Sequence, residues 1–155
     1  MKKIAFDDPF LKKDYNSDNE ELYDIQNHIN YISMLYQKEE TKILPIVQEI
    51  KKKLSSYKSQ DKKKHRYDEE QHITYDELIE KLYKSNLRCY YCQINVCLIY
   101  KNKNDKSQWS LERFNNNLGH YADNTCISCL KCNLQRRNDN HEYFKMGKNL
   151  VVKKD

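Results

Sequence analysis

Two Cys-x-x-Cys pairs constrain this 155-residue chain more than any other feature: Cys89-Tyr90-Tyr91-Cys92 and Cys129-Leu130-Lys131-Cys132. Two cysteines separated by two residues can turn both thiolates toward one ion from a tight turn. Two such pairs complete a closed four-sulfur zinc shell, which stabilises a fold and does no chemistry of its own. Cys126, Cys129 and Cys132 stand at successive three-residue steps, so spacing alone leaves the second pair open among them. The 36 residues from 93 to 128 exceed the ~12–20 that separate the pairs of ordinary zinc fingers and ribbons. A segment with a role of its own is inserted there.

The residues of that insert read as a small sheet. Trp109 to Phe114 alternates in the manner of a strand, with Ser110, Glu112 and Phe114 on one face and Trp109, Leu111 and Arg113 on the other. The loop from Asn115 to Asp123 holds Gly119, one of only two glycines, which predicts a special backbone conformation there. Thr125 to Ser128 completes a β-hairpin, and a helix is expected to begin around Cys132 and Asn133. Upstream, Ile94 to Tyr100 is an apolar run rich in β-branched residues, a strand or a buried extended segment, with Cys97 as a small hydrophobe inside it.

Taken in order, the first zinc pair, Ser110-Leu111-Glu112-Arg113-Phe114-Asn115, Gly119-His120, Asn124, and a second pair followed at once by Asn133 resemble the HNH, or ββα-metal, nuclease superfamily. More narrowly they resemble its zinc-stapled members in phages and large DNA viruses, over residues 76–138. The resemblance implies that the strand-end carboxylate and a residue at the helix start hold one divalent cation. Glu112 and Asn133 carry over to those positions, and two oxygen donors suit Mg²⁺ or Mn²⁺. It implies that Asn124 is the loop-bracing asparagine of the active site. It also selects Cys89, Cys92, Cys129 and Cys132 as structural Zn²⁺ ligands, because that choice keeps the family's spacing from Asn124 and leaves Asn133 at the helix start. Cys126 then packs within the hairpin. Lys131, Arg136 and Arg137 put positive charge where the superfamily lays its last helix on the nucleic-acid backbone, which implies binding with little base reading.

The chain departs from the family at the general base. The usual base is a His directly after the metal carboxylate, but Arg113 stands there, and the carboxylate is Glu in place of the commoner Asp. Arginine does not act as a base at neutral pH. His120, the only histidine between the zinc pairs, has a suitable intrinsic pKa for activating water, with Tyr121 as the second candidate. Arg113 is then either a clamp on the scissile phosphate, which its fork matches, or one half of a surface salt bridge.

The N-terminal half carries a different pattern. Residues 1–16 lack periodicity and read as a loosely docked arm. Ser17 and Glu20 make a capping-box signature, after which Leu22, Ile25, Ile29, Ile32 and Tyr36 share one helical face. A second helix is predicted from about Ile43 to Tyr57, with Pro45 in its first turn and Ile43, Val47, Ile50 and Leu54 as its stripe. The two pair as a helical hairpin: a scaffold, or a surface for a partner, for DNA or for a homodimer. Ser55 to Gln71 is a polar linker holding Lys62-Lys63-Lys64-His65-Arg66, either a solvated loop or a phosphate contact, with His65 and His72 as surface histidines. Thr74 and Glu77 form another capping box, with Leu78, Ile79, Leu82 and Tyr83 on a helix ending near Asn86. His141, Tyr143 and Phe144 continue into a tail.

Composition sets the remaining bounds. Charged residues reach 33% and hydrophobic ones 38%, which predicts a small core with solvated faces, a shortage that zinc compensates. The net charge of +5 favours a polyanionic partner. Six cysteines, four of them in zinc spacing, without a signal peptide or an apolar run that could span a bilayer, predict an intracellular, reducing compartment and no membrane. The expectation is an α+β protein: a helical region over 1–58, a basic linker over 59–71 and a zinc-stapled ββα-metal module over 72–155. Its expected activity is divalent-metal-dependent endonucleolytic hydrolysis, with DNA favoured over RNA as the nucleic acid. The alternatives are a nucleic-acid-binding module that has lost its base and an interaction protein built on the helical hairpin.

Overall fold

The computed structural model describes residues 20–154. The arm at 1–16 and Ser17 of the first capping signature lie outside the described residues. The elements follow as α1 (Glu20–Tyr23), α2 (Ile25–Tyr36), α3 (Leu44–Lys63), α4 (Tyr75–Lys84), β1 (Trp109–Arg113), β2 (Thr125–Cys129), α5 (Leu130–Arg136) and α6 (His141–Lys154). The fold is thus a mixture of helices with one small antiparallel sheet, and the expected tail is a helix. No helix among the described residues is long and apolar enough to cross a membrane.

Asp24 divides the first predicted helix. Its side chain accepts a hydrogen bond from Gln26 N at 3.0 Å and caps α2 afresh. Leu22 is buried in α1, and α2 turns His28, Ile32 and Leu35 inward while Ile25, Ile29 and Tyr36, expected on the buried face, are exposed. His28 is held at both ring nitrogens: Nδ1 accepts from Leu98 N and Nε2 donates to Leu22 O, each at 3.0 Å. Burial lowers its pKa and favours this neutral tautomer. At the start of α4, Thr74 and Glu77 exchange both bonds of a capping box, at 2.9 and 3.2 Å, and Leu78, Ile79 and Leu82 are buried behind it. Tyr83, expected with them, is exposed and stacks on Tyr36 of α2 with ring centroids 4.2 Å apart.

α3 has Pro45 in its first turn and buries Ile46, Val47 and Ile50, but it does not stop near Tyr57; it runs to Lys63. The reason is one row of side chains at four-residue steps. Lys53 donates to Trp109 O, the Tyr57 hydroxyl accepts from Leu111 N at 3.0 Å, and Asp61 meets the His120 ring at 3.0 Å. β1 pairs with β2 in antiparallel register from Trp109↔Cys129 to Arg113↔Thr125. Trp109 O and Leu111 N lie on the other edge of β1, so α3 satisfies backbone groups that a two-stranded sheet would leave open. The expected linker therefore begins inside a helix, and the expected division at 58/59 cuts that helix. One buried cluster runs from Leu22, Ile32 and Ile50 to Leu98, Trp109 and Cys129, joining both expected regions in a single core.

The run Ile94–Tyr100 forms no named strand. Its backbone makes isolated bridges, Asn95 with Arg88 and Cys97 with Gln108, while Val96 to Ile99 are buried. Gly119 does not adopt a left-handed backbone. Its missing side chain is what the fold requires, because a Cβ there would lie 2.6 Å from Arg66 O and 2.9 Å from Asp61 Oδ2.

Candidate metal centre and the polar site beside it

The backbone of the first cysteine pair is held on two sides: Cys89 N donates to Ile94 O at 2.9 Å, closing the turn, and Tyr90 N to Ile127 O of β2 at 2.8 Å. β2 delivers Cys129 to the start of α5, where its sulfur caps the helix by accepting from Cys132 N at 3.4 Å. Cys89 Sγ accepts from Tyr91 N at 3.3 Å and from Cys92 N at 3.5 Å. Such N–H donors favour the thiolate form of a sulfur. The sulfurs of Cys89, Cys92, Cys129 and Cys132 all lie within 4.8 Å of one another. Hydrogen bonds from Cys129 and Cys132 hold the Cys89 thiol far below its ordinary pKa, while those two partnerships with Cys129 and Cys89 push Cys132 far above. Four soft donors converging on one point fit a metal ion such as zinc, which would replace this sharing of protons with four thiolates. Cys126 is buried outside the cluster, and burial raises its thiol pKa.

Glu112 is 5% exposed. Its Oε2 accepts from Arg136 Nη1 at 2.8 Å and from the Tyr91 hydroxyl at 3.4 Å. Burial pushes its carboxyl pKa up, and the Arg136 guanidinium opposes that shift. Arg136, expected on the outside of the last helix against a nucleic-acid backbone, is only 2% exposed. Besides Glu112 it donates to the carbonyls of Arg113 and Phe114 at the end of β1 and of Asp139 after α5, so every part of its guanidinium is engaged within the chain. Asn133, half-buried, donates its side-chain Nδ2 to Ser110 Oγ at 2.7 Å. The structure thus brings Glu112 and Asn133 to the same β1–α5 interface, with Arg136 already paired to Glu112 there.

The loop between the strands is closed by Asn124. Its Oδ1 accepts from Asn115 N at 3.0 Å, and its Nδ2 donates to Asn115 O at 3.1 Å and Gly119 O at 3.0 Å. Arg113 turns Nη1 into the same loop, onto Asn116 O at 2.9 Å and Leu118 O at 3.0 Å, so carbonyls hold it in place of a surface carboxylate. His120 is 4% exposed and stacks on the Tyr57 ring at 4.6 Å. Its backbone N–H donates to Asp61 Oδ2 at 2.7 Å, and its Nδ1 lies 3.0 Å from Asp61 Oδ1. Burial lowers the imidazole pKa to about 4, against the pull of Asp61. His72, expected at the surface, is also buried. Its Nδ1 is bonded to Ile73 O at 2.9 Å and its Nε2 faces Asp61 Oδ2 at 3.8 Å. Tyr121 donates its hydroxyl to Arg66 O at 2.7 Å.

Of the cations expected on nucleic acid, Lys131 and Arg137 are exposed, as are Lys62, Lys63 and Lys64 at the end of α3. Lys58 and Lys62 both lie over the Tyr67 ring, 5.4 and 5.0 Å from its centroid. Motif reading missed Tyr57 and Asp61 altogether. The available signal was positional: both fall on the helical face begun by Ile50, where an acidic residue amid lysines has to find a partner. Compared with known protein families, with characterised proteins and with solved structures, the chain matches none.

Proposed function

We propose that this protein is a divalent-metal-dependent endonuclease that hydrolyses phosphodiester bonds, with DNA as the favoured substrate. The observation that carries the reading is the β1–α5 interface beside the thiolate cluster. There Ser110 and Glu112, on one face of β1, meet Asn133 and Arg136, one turn apart on α5. The Asn133 amide nitrogen is engaged on Ser110 and the Glu112 contacts fall on Oε2, so the donors left to a cation are hard oxygens, Asn133 Oδ1 and Glu112 Oε1. A bound Mg²⁺ or Mn²⁺ would polarise the phosphoryl group and stabilise the leaving oxygen. His120 is neutral at pH 7, since burial holds its pKa down to about 4, and a neutral imidazole can take the proton of an attacking water. Exposed Lys62, Lys63, Lys64, Lys131 and Arg137 supply the charge for backbone phosphates.

One observation favours a second reading, a zinc-stapled nucleic-acid-binding module that does not cleave. Arg136 already neutralises Glu112 in a buried site, and three backbone carbonyls hold it there. Conversion of supercoiled plasmid to nicked or linear forms, with Mg²⁺, Mn²⁺ or no divalent ion, separates the two. Metal-dependent nicking that disappears in Glu112→Ala, with zinc content intact, is the expected result. Full activity in that variant would remove Glu112 from the site. Inactivity on plasmid, branched and single-stranded substrates alike, with salt-sensitive binding retained, would establish the second reading.

A further inference from the structure

We propose that Asp61, on the helical half of the chain, is a positioning residue for His120: it fixes the imidazole as the Nδ1–H tautomer and so presents Nε2 as the proton acceptor in hydrolysis. The inference rests on the endonuclease reading. In the step it serves, the water oxygen bonds to phosphorus as its proton passes to Nε2, and the ester oxygen leaves with the P–O electron pair, taking a proton from solvent.

Three observations converge on Asp61. Its carboxylate grips one residue twice, accepting the His120 backbone N–H at 2.7 Å while its two oxygens stand 3.0 and 3.1 Å from Nδ1. A carboxylate accepts and does not donate, so the proton of the neutral ring sits on Nδ1 and the lone pair on Nε2. The approach depends on Gly119, where a Cβ would lie 2.9 Å from Asp61 Oδ2. Tyr57, one turn before Asp61 on α3, stacks on the ring at 4.6 Å and limits its rotation. None of these residues belongs to the zinc-bracketed segment except Gly119 and His120 themselves.

The groups that face His120 are Asp61 and Tyr57 of α3, Arg113 of β1, and His72 just before α4. Asp61 favours a protonated ring, whereas Arg113 and His72 disfavour it. Asp61→Asn keeps the size of the side chain and an oxygen for the His120 N–H, but its amide nitrogen donates to Nδ1 and shifts the ring proton to Nε2. That is the wrong tautomer for a base.

The test uses the full chain. In ¹⁵N-histidine NMR of the wild type, His120 should be the Nδ1–H tautomer at pH 7. Asp61→Asn should lower kcat by roughly 10²-fold or more, the scale of a lost general base, with KM little changed and no further loss when combined with His120→Ala. Any residual rate should have its acid limb moved to lower pH, which a merely structural role for Asp61 would not do. An Nε2–H tautomer in the wild type overturns the proposal without recourse to any variant. So does wild-type kcat in Asp61→Asn when His120→Ala is impaired, and that outcome leaves the endonuclease reading standing. A wild type that cleaves no substrate in Mg²⁺ or Mn²⁺ removes both.

Discussion

The four-sulfur cluster and the acid pairs Asp61–His120 and Glu112–Arg136 are all buried polar assemblies, yet they solve the problem of burial in opposite ways. In the cluster, like groups converge, and the sulfurs can all be ionised only if a cation arrives from outside. In the acid pairs, each carboxylate has its donor within the chain, at 3.0 Å for His120 and 2.8 Å for Arg136. A metal ion bound in the first region would make stability conditional on its supply. The second depends only on groups that the chain itself supplies.

The largest expected effect comes from breaking the first region. Zinc analysis should find one ion per chain, and its removal by chelation, or Cys89→Ser, should cost on the order of 10 kcal/mol of folding free energy, the scale of structural zinc sites. Circular dichroism and thermal melting would read the loss, and a melting curve unmoved by complete chelation would end the contrast. Next is Arg136→Ala, which leaves Glu112 buried without its cation. We expect a loss of about 3–5 kcal/mol in urea denaturation at pH 7, and a much smaller one when Arg136→Met is combined with Glu112→Gln. Equal losses in the single and double variants would mean that the pair is not what Arg136 provides.

Gly119→Ala comes third. Its Cβ would meet a backbone oxygen and the Asp61 carboxylate, so it should cost about 1–3 kcal/mol and perturb the His120 ring signals while leaving zinc content unchanged. Thr74→Ala lies outside both regions and is the smallest. Loss of the capping bond from Glu77 N should cost ~1 kcal/mol in melting experiments, with no change in zinc content or in the His120 resonances.

What could be read beforehand was whatever short spacing dictates. The two cysteine pairs come together, the Thr74–Glu77 box caps its helix, and the hairpin over 109–113 and 125–129 forms where alternation placed it. Asn124 braces its loop by three hydrogen bonds, all to groups within nine residues. What could not be read depends on partners that no motif or spacing links. His72 is buried because Asp61 is, and Asp61 is buried because His120 lies 59 residues later. Within its own neighbourhood Asp61 is one acid among lysines, and its surroundings resemble a solvated loop. Arg136 misled for the complementary reason: positive charge on a short helix reads as surface until the carbonyls that need it are seen. Ile25 and Ile29 are exposed because α2, capped separately at Asp24, packs on the face of His28, Ile32 and Leu35, and His28 gave no apolar signal for that face.

The row Lys53, Tyr57 and Asp61 also bears on how the chain is made. These residues are synthesised 54 to 59 positions ahead of the groups they meet on β1 and in the loop after it. By the time β1 and β2 can pair, the segment that caps their open side has already been synthesised. That order keeps a partner at hand for the open edge of the ribbon, which would otherwise be a free template for a neighbouring copy. A circular permutant beginning at residue 72 would reverse the order and expose the ribbon first, and its yield of soluble protein would register the difference.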